Sequence, residues 1–456
     1  MGAPFYNSHM IPKPIGSGFP VESQREGVDK LLVITYNTLS LIHQQILTRI
    51  GSDIVNPLKA VYCRCFQAVL KFVLPILPYR TPKVLDSVEE LPGELARKGI
   101  GSVLLVTDGF LHKSGMLEPL KKALAEAGIR CTIYDEVVPN PTVWNVEAAR
   151  DRYLENGCQG LIGFGGGSAI DCAKAVGARI ARPKKPVAKM RGILKILRPI
   201  PYLIAVPTTA GTGSETTLAT VITDDANYHK FPINDFPLIP RVAVLDPEMT
   251  RSLPKHLTST TGMDALTHAI EAYIGRSGNK QTRTEALTAA KLISENLEKA
   301  YADGNDMVAR ANMLRAAFLA GDAFSKSYVG YCHAVAHSLG GKYHTPHGLA
   351  NAVLLPYILE GYGPSIHKKA RDIAVAMGIA DERMEPEQAA EALIAKIRQM
   401  NANMGIPEKL PAIRAEDIPA LAAFAEKEAN PLYPVPVLMT AQELEQFYYN
   451  VMEDHP

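Results

Sequence analysis

The chain has 456 residues, 47% of them hydrophobic and 21% charged, with a formal net charge of +1. That length supports two or three globular domains with a sizeable core. So small a net charge gives no overall attraction to nucleic acid or to an anionic membrane.

The six cysteines, at 63, 65, 131, 158, 172 and 332, are scattered and form no C-x-x-C pair. Reduced, cytoplasmic thiols are therefore expected rather than a disulfide framework. The opening MGAPFYNSHMIPKPIGSGFP has no charged start followed by an apolar run, so it does not read as a secretory signal. Tyr6 stands where N-myristoylation wants Ser or Thr. Two apolar, helix-leaning stretches follow, 30–50 (KLLVITYNTLSLIHQQILTRI) and 58–78 (LKAVYCRCFQAVLKFVLPILP). In the second, Arg64, Gln67 and Lys71 share one face, the other faces are apolar, and Pro75 and Pro78 end the helix. Its charges argue against a transmembrane span. Residues 1–80 are expected to form a helical extension packed on the body or on a partner subunit. Membrane-surface contact through residues 30–78 is the less favoured alternative.

From Thr81 the pattern becomes α/β. Strands are expected at 102–108, 130–137, 160–168, 201–211 and 241–249, with helices at 117–128, 143–157 and 169–181. Short connections between alternating strands and helices indicate βαβ units and a parallel sheet. The basic run 179–199 (RIARPKKPVAKMRGILKILRP) contains no acidic residue. It reads as solvated, flexible surface, or as a patch for phosphate, membrane or a partner. Beyond Asp246 the strand signals stop and helices take over. The expected division is therefore an α/β dinucleotide-binding domain at 81–246 and an all-helical domain at 247–456.

Two loops suit a dinucleotide. GLIGFGGGSAIDCAKAVG (160–177) sets three glycines between a strand and a helix, where backbone N–H groups and the helix dipole favour phosphate. The spacing is not G-x-G-x-x-G, and Ser168 to Asp171 reads as a capping-box start. PTTAGTGSE (207–215) follows the next strand and adds the hydroxyls of Thr208, Thr209, Thr212 and Ser214. Loops at the ends of neighbouring parallel strands share one crevice. Asp108, at the end of its strand, is placed to accept from an adenosine ribose and to repel the extra phosphate of NADP; an ordinary turn residue is the plainer alternative.

A second constellation lies in the helical half. Asp264 and His268 are four apart in GMDALTHAIEAY, with apolar neighbours, and His333 and His337 are four apart in HAVAHSLGG. Each pair shares a helix face. Gly340 and Gly341 are expected to end the second helix, and the loop after it to return His344 and His347. Such faces offer a nitrogen and oxygen donor set for a divalent transition metal. No H-E-x-x-H is present, which disfavours a zinc protease.

These runs, together with DPEMT and GYCHAVAHSLGGKYHTPHGLANAVLLP, resemble the iron-containing (group III) alcohol dehydrogenases. That superfamily also holds glycerol dehydrogenase and dehydroquinate synthase. The matching motifs stand in family order over roughly residues 80–450, and family members typically begin near TPKVLDSVEELP. The resemblance implies an α/β nucleotide-binding domain followed by an all-α metal-binding domain. It implies that Asp264, His268, His333 and His347 ligate the metal, with His337 beside it as proton relay. Gly165, Gly166, Gly167 and Ser168 would hold the pyrophosphate, with Asp171 in the same motif. Thr208, Thr209, Thr212 and Ser214 would line the cofactor cleft, and Lys230 would contact the cofactor. Asp108 matches the acid that favours NAD over NADP. Asn140 and Phe324 fall at substrate-pocket positions, whereas His344 matches no ligand.

The function so implied is hydride transfer between NAD(P) and a small primary alcohol or aldehyde whose oxygen meets the metal. Fe²⁺ follows from the resemblance; three histidines and an aspartate would equally accept Zn²⁺. A homo-oligomer with no nucleic-acid partner is expected. Two other functions remain: a dehydroquinate synthase-like cyclase dependent on metal and NAD, and a non-catalytic assembly protein on the same scaffold. A cyclase would need several cations aimed at a phosphate, and Lys326 is the one cation flanking the histidine cluster.

Overall fold

The computed structural model describes residues 57–225 and 229–453, which belong to one compact unit. The apolar stretch 30–50 lies outside the described residues. A parallel six-stranded sheet organises the first half. Its strands are β1 (Lys83–Leu85), β2 (Ser102–Val106), β3 (Arg130–Tyr134), β4 (Gly160–Gly165), β6 (Tyr202–Pro207) and β9 (Val242–Val244), in the order β1-β9-β6-β4-β2-β3. Along β2, Val103 and Leu105 enter one apolar layer and Leu104 and Val106 the other. Side chains alternate across a strand, so a sheet covered on both faces needs an unbroken apolar run. Helices Leu91–Arg97 and Glu118–Glu126 cover one face; Val143–Glu155 and Gly167–Ala181 cover the other.

The strands stop earlier than the sequence pattern suggests. β2 ends at Val106, because Asp108 caps the short helix Gly109–Lys113. β4 ends at Gly165, and its helix begins at Gly167, two residues before the expected start. A second, three-stranded sheet was not anticipated. It pairs β7 (Ala219–Thr223) antiparallel with β8 (Lys230–Asn234), and β8 with the two-residue β5 (Gly192–Ile193). It organises the basic run. Arg179 pairs with Glu147, the Arg182 and Lys185 side chains donate to the Ile196 and Lys195 carbonyls, and Asp235 accepts from the Ile196 and Leu197 N–H groups. Part of this charge is therefore structural; Lys184, Lys189, Arg191 and Arg198 remain exposed.

After β9 the described chain is helical. Lys255–Ile274 is the central helix; fifteen of its residues are buried, among them Asp264, His268 and Glu271. Lys280–Ala302, Met307–Ser327, Tyr331–Tyr343 and His347–Tyr362 share an apolar core with it. His367–Ala376, Pro386–Asn403, Ile418–Ala429 and Ala441–Val451 complete the half. No described helix is long and apolar enough to cross a membrane.

The helix Pro57–Val73 turns Arg64 and Gln67 of its polar stripe inward, while Lys71 stays exposed. Arg64 donates to the carbonyls of Val435 and Pro436 at 2.8 and 2.9 Å, and Gln67 donates to that of Tyr433 at 2.7 Å. Leu58, Val61, Phe72 and Ile76 face outward. The sequence pattern shows two unlike faces; the carbonyls of 431–436 decide which one docks. A guanidinium hydrogen bond to a buried carbonyl contributes about 1.5–3 kcal/mol. Arg64→Ala should therefore speed protease cleavage between residues 57 and 80 and leave the melting of the rest unchanged. Timed digestion followed by mass spectrometry checks this.

Candidate active site: a cofactor crevice beside a four-ligand cluster

The sheet order reverses between β2 and β4, because β3 lies outside β2 while β4 and β6 extend the other way. Ligand crevices form at such a switch, beyond the carboxyl ends of the strands. β4 ends there in Gly165, at φ +148°, where a side chain would be strained and would meet Ala169 at 2.8 Å. Gly166 precedes the first turn of Gly167–Ala181 and supplies no side-chain cap. The leading N–H groups of a helix need partners, and an anion provides them. A Cβ on Gly166 would meet Thr209 at 3.5 Å, and one on Gly167 would meet Thr212 at 3.2 Å and Ser214 at 3.3 Å, so the two predicted loops adjoin. Thr208 donates its N–H to the Gly165 carbonyl at 3.0 Å, and the buried Thr209 Oγ1 has no hydrogen-bond partner.

The Ser168–Asp171 capping box does not form, since the helix starts upstream of it. Ser168 Oγ accepts the Asn140 N–H at 3.3 Å, which places Asn140 beside the glycine loop. Asp171 accepts the Val221 N–H at 2.9 Å and interacts with Ser214, tying the helix to β7. Asp108 accepts the N–H groups of Phe110 and Leu111, both at 3.0 Å, and its carboxylate lies 3.9 Å from where a Gly165 Cβ would stand. It is thus both a helix cap and a neighbour of the glycine loop.

The second cluster adjoins this crevice through Phe324, which lies against both Gly213 and His268. Asp264, His268, His333 and His347 each offer one donor atom, all within 4.8 Å of one another. His347 Nε2 and His333 Nε2 stand 3.5 and 3.8 Å from Asp264 Oδ1. His268 stacks on His333 at 4.4 Å between ring centroids and on Phe324 at 4.1 Å. Burial pulls the His268 imidazole down to about 3, against the opposing pull of Asp264. Desolvation, with His337 and Lys230 beside it, lowers His347 to about 3 as well, although its side chain is 41% exposed. Rings kept neutral have a free lone pair for a metal. His268 Nδ1 and His333 Nε2 are buried without hydrogen-bond partners. Orphaned imidazole nitrogens beside a carboxylate fit a divalent metal, which would satisfy them all.

Sequence reasoning placed two features differently. The helix of His333 continues through Gly340 and Gly341 to Tyr343, and His347 opens the next helix rather than lying in a loop. His344 closes the first helix at φ 57°, outside the ligand group. Three neighbours were missed. Asn351 donates to Asp264 Oδ1 at 2.7 Å; Glu271 contacts His333 Nδ1 at 2.6 Å; Glu428 contacts His337 Nδ1 at 2.6 Å. Asp264, His268 and Glu271 stand at i, i+4 and i+7, so helix periodicity could have found Glu271. No local signal links Glu428 to a histidine 91 residues earlier. His268→Ala or His333→Ala should lose the metal, leaving well under one equivalent by elemental analysis. Full occupancy in either would refute the ligand assignment.

Residues 84–247 match the sequence profile described as iron-containing alcohol dehydrogenase, and 258–452 match that of the Fe-containing alcohol dehydrogenase family, C-terminal. The chain is 36% identical over 368 residues to an NAD-dependent methanol dehydrogenase of Bacillus methanolicus, covering 80% of this chain and 96% of the relative. It is 38% identical over 363 residues to a 1,3-propanediol dehydrogenase of Citrobacter freundii, covering 79% and 93%. A crystal structure of a 1,3-propanediol oxidoreductase superposes with a TM-score of 0.79 at 36% identity, covering 82% of this chain and 98% of that one. Both halves match in order, and the matched ranges span the crevice and the four donors: the protein belongs to the iron-containing alcohol dehydrogenase family.

Proposed function

We propose that the protein interconverts a small primary alcohol and its aldehyde, with NAD preferred over NADP and Fe²⁺ held by Asp264, His268, His333 and His347. Zn²⁺ suits the same donors. The observation that carries this reading is the direct junction of the two clusters. A Cβ on Gly211, in the cofactor loop, would run into the Thr261 carbonyl of the central helix, and a Cβ on Gly213 would meet Phe324 at 3.2 Å. A dinucleotide seated on the glycine loop therefore ends beside the metal ligands.

A bound metal would polarise the substrate oxygen as a Lewis acid, while the nicotinamide exchanges hydride. The chain's own residues do the rest. Phe324 covers one face of His268 and lines the substrate side, with Asn140 across the glycine loop. Lys230 lies near enough to His347 to lower its pKa, consistent with a place at the cofactor's nicotinamide end. His337 lies deep in the molecule, yet its side chain is 40% exposed, as expected at an opening. Burial alone would lower its pKa; the charge and hydrogen bond of Glu428, with Asp264 and Glu271, raise it instead. Glu428 also accepts the Tyr433 hydroxyl at 2.8 Å. With Nδ1 committed to Glu428, Nε2 is left to exchange the substrate proton with solvent.

The cyclase reading is not favoured: Lys326, the cation flanking the cluster, is tied to Asp322 and Thr81. A dead scaffold would have no need to keep the ligand set intact. We divide the chain into an extension at 1–80, the dinucleotide domain at 81–246 and the metal domain at 247–456. We assign the protein to the cytoplasm, as suits its six free thiols. A homo-oligomer could use the outward apolar face of Pro57–Val73.

Alcohol-dependent NADH formation by metal-stripped protein, with Fe²⁺ or Zn²⁺ restored, tests the function; no turnover on any small alcohol or aldehyde would sink it. In that assay His337→Ala should lower kcat by about 10²–10⁴-fold while retaining the metal. Asp108→Gly should raise the NADP-to-NAD ratio of kcat/KM. An unchanged ratio would leave Asp108 as a helix cap alone.

A further inference from the structure

We infer that Glu271 is the positioning residue of the metal centre, a carboxylate that aims His333 and starts the helix carrying it. Its side chain is 1% exposed, and three donors converge on its two oxygens. Oε2 faces His333 Nδ1 at 2.6 Å and accepts the Gly330 N–H at 2.8 Å; Oε1 accepts the Cys332 N–H at 2.8 Å.

Gly330 is the N-cap of Tyr331–Tyr343 and provides no side-chain cap. Glu271, on the central helix, therefore supplies the negative charge that a helix start favours. The approach is close: a Cβ on Gly330 would stand 2.6 Å from Glu271 Oε1. The Gly330 and Cys332 N–H groups favour the ionised carboxylate, and in that form it only accepts, so the hydrogen on Nδ1 belongs to His333. That fixes the tautomer and leaves Nε2, without any hydrogen-bond partner, as the atom facing Asp264. A carboxylate behind a ligating imidazole also raises its basicity as a donor. Because Asp264, His268 and Glu271 share one rigid helix, the two direct ligands and the support of a third are set by a single backbone.

This inference rests on the assignment of His333 as a ligand, and the test separates the two. Glu271→Gln keeps the shape but has one accepting oxygen for three donors. Metal-loaded protein is titrated with a competing chelator, using Zn²⁺, and the visible absorption of the Co²⁺-loaded form is recorded. Glu271→Gln should weaken Zn²⁺ binding about 10–100-fold and shift the Co²⁺ bands. Should that variant fail to fold, Gly330→Ala keeps every ionisable group yet pushes the carboxylate off its donors, and should act in the same direction. A lower melting temperature of the metal-free protein, with Zn²⁺ affinity and Co²⁺ spectrum unchanged, would make Glu271 a helix cap only and overturn the inference. If His333→Ala keeps its metal, the ligand assignment fails; if His333→Ala loses it while the Glu271 and Gly330 variants bind as the wild type, only the role of Glu271 fails.

Discussion

The helical half is built around a carboxylate that water cannot reach. Asp264 is 2% exposed on the central helix. An ionised carboxylate in such surroundings is costly unless paired or coordinated. Asn351 gives it one hydrogen bond, and the neighbouring His268 and His333 are imidazoles that burial holds neutral. The cluster is short of positive charge, and a divalent cation supplies it. The same burial that makes Asp264 expensive leaves His268 and His333 with orphaned ring nitrogens. One physical cause thus prepares three of the four donors, and His347 closes the group from the exposed side.

The second constraint is close backbone approach between the two halves. Gly213 and Gly321 are so near that a Cβ on Gly213 would stand 2.7 Å from the Gly321 Cα. Nothing larger than hydrogen fits between the cofactor loop and the Met307–Ser327 helix. That contact lets Phe324, from the same helix, reach both the loop and His268. The hydride donor and the substrate's carbon must come within contact distance, and small residues at the seam make this feasible. Thr81, which accepts from Lys326 and donates to Asp322, adds a polar tie between the halves.

Much of this was legible because it is periodic or local. The pairs Asp264/His268 and His333/His337 could be placed on helix faces from spacing alone. The alternation of strands and helices with short connections announced βαβ units and a parallel sheet. The resemblance then named which donors act together. Local patterns misled where a stronger local feature competed. Ser168 and Asp171 have capping spacing, but the preceding glycines let the helix begin earlier. The β7–β8 hairpin escaped because its loop is long and polar, without a two-residue turn signal. The stripe on Pro57–Val73 was visible, but the inward turn of its Arg64 and Gln67 was not.

What the sequence by itself determined is the two helix-face pairs, Asp264/His268 and His333/His337, and the two loops fit for a dinucleotide. Each depends on residues within a few positions of one another. Only the tertiary structure decided what stands behind those donors. Glu271 meets His333 across 62 residues, Asn351 meets Asp264 across 87, and Glu428 meets His337 across 91. A lone Glu or Asn on a helix reads as solvated until packing brings a particular donor to it. Hydrogen bonds act over about 3 Å, so their partners are chosen by the fold and not by the spacing along the chain.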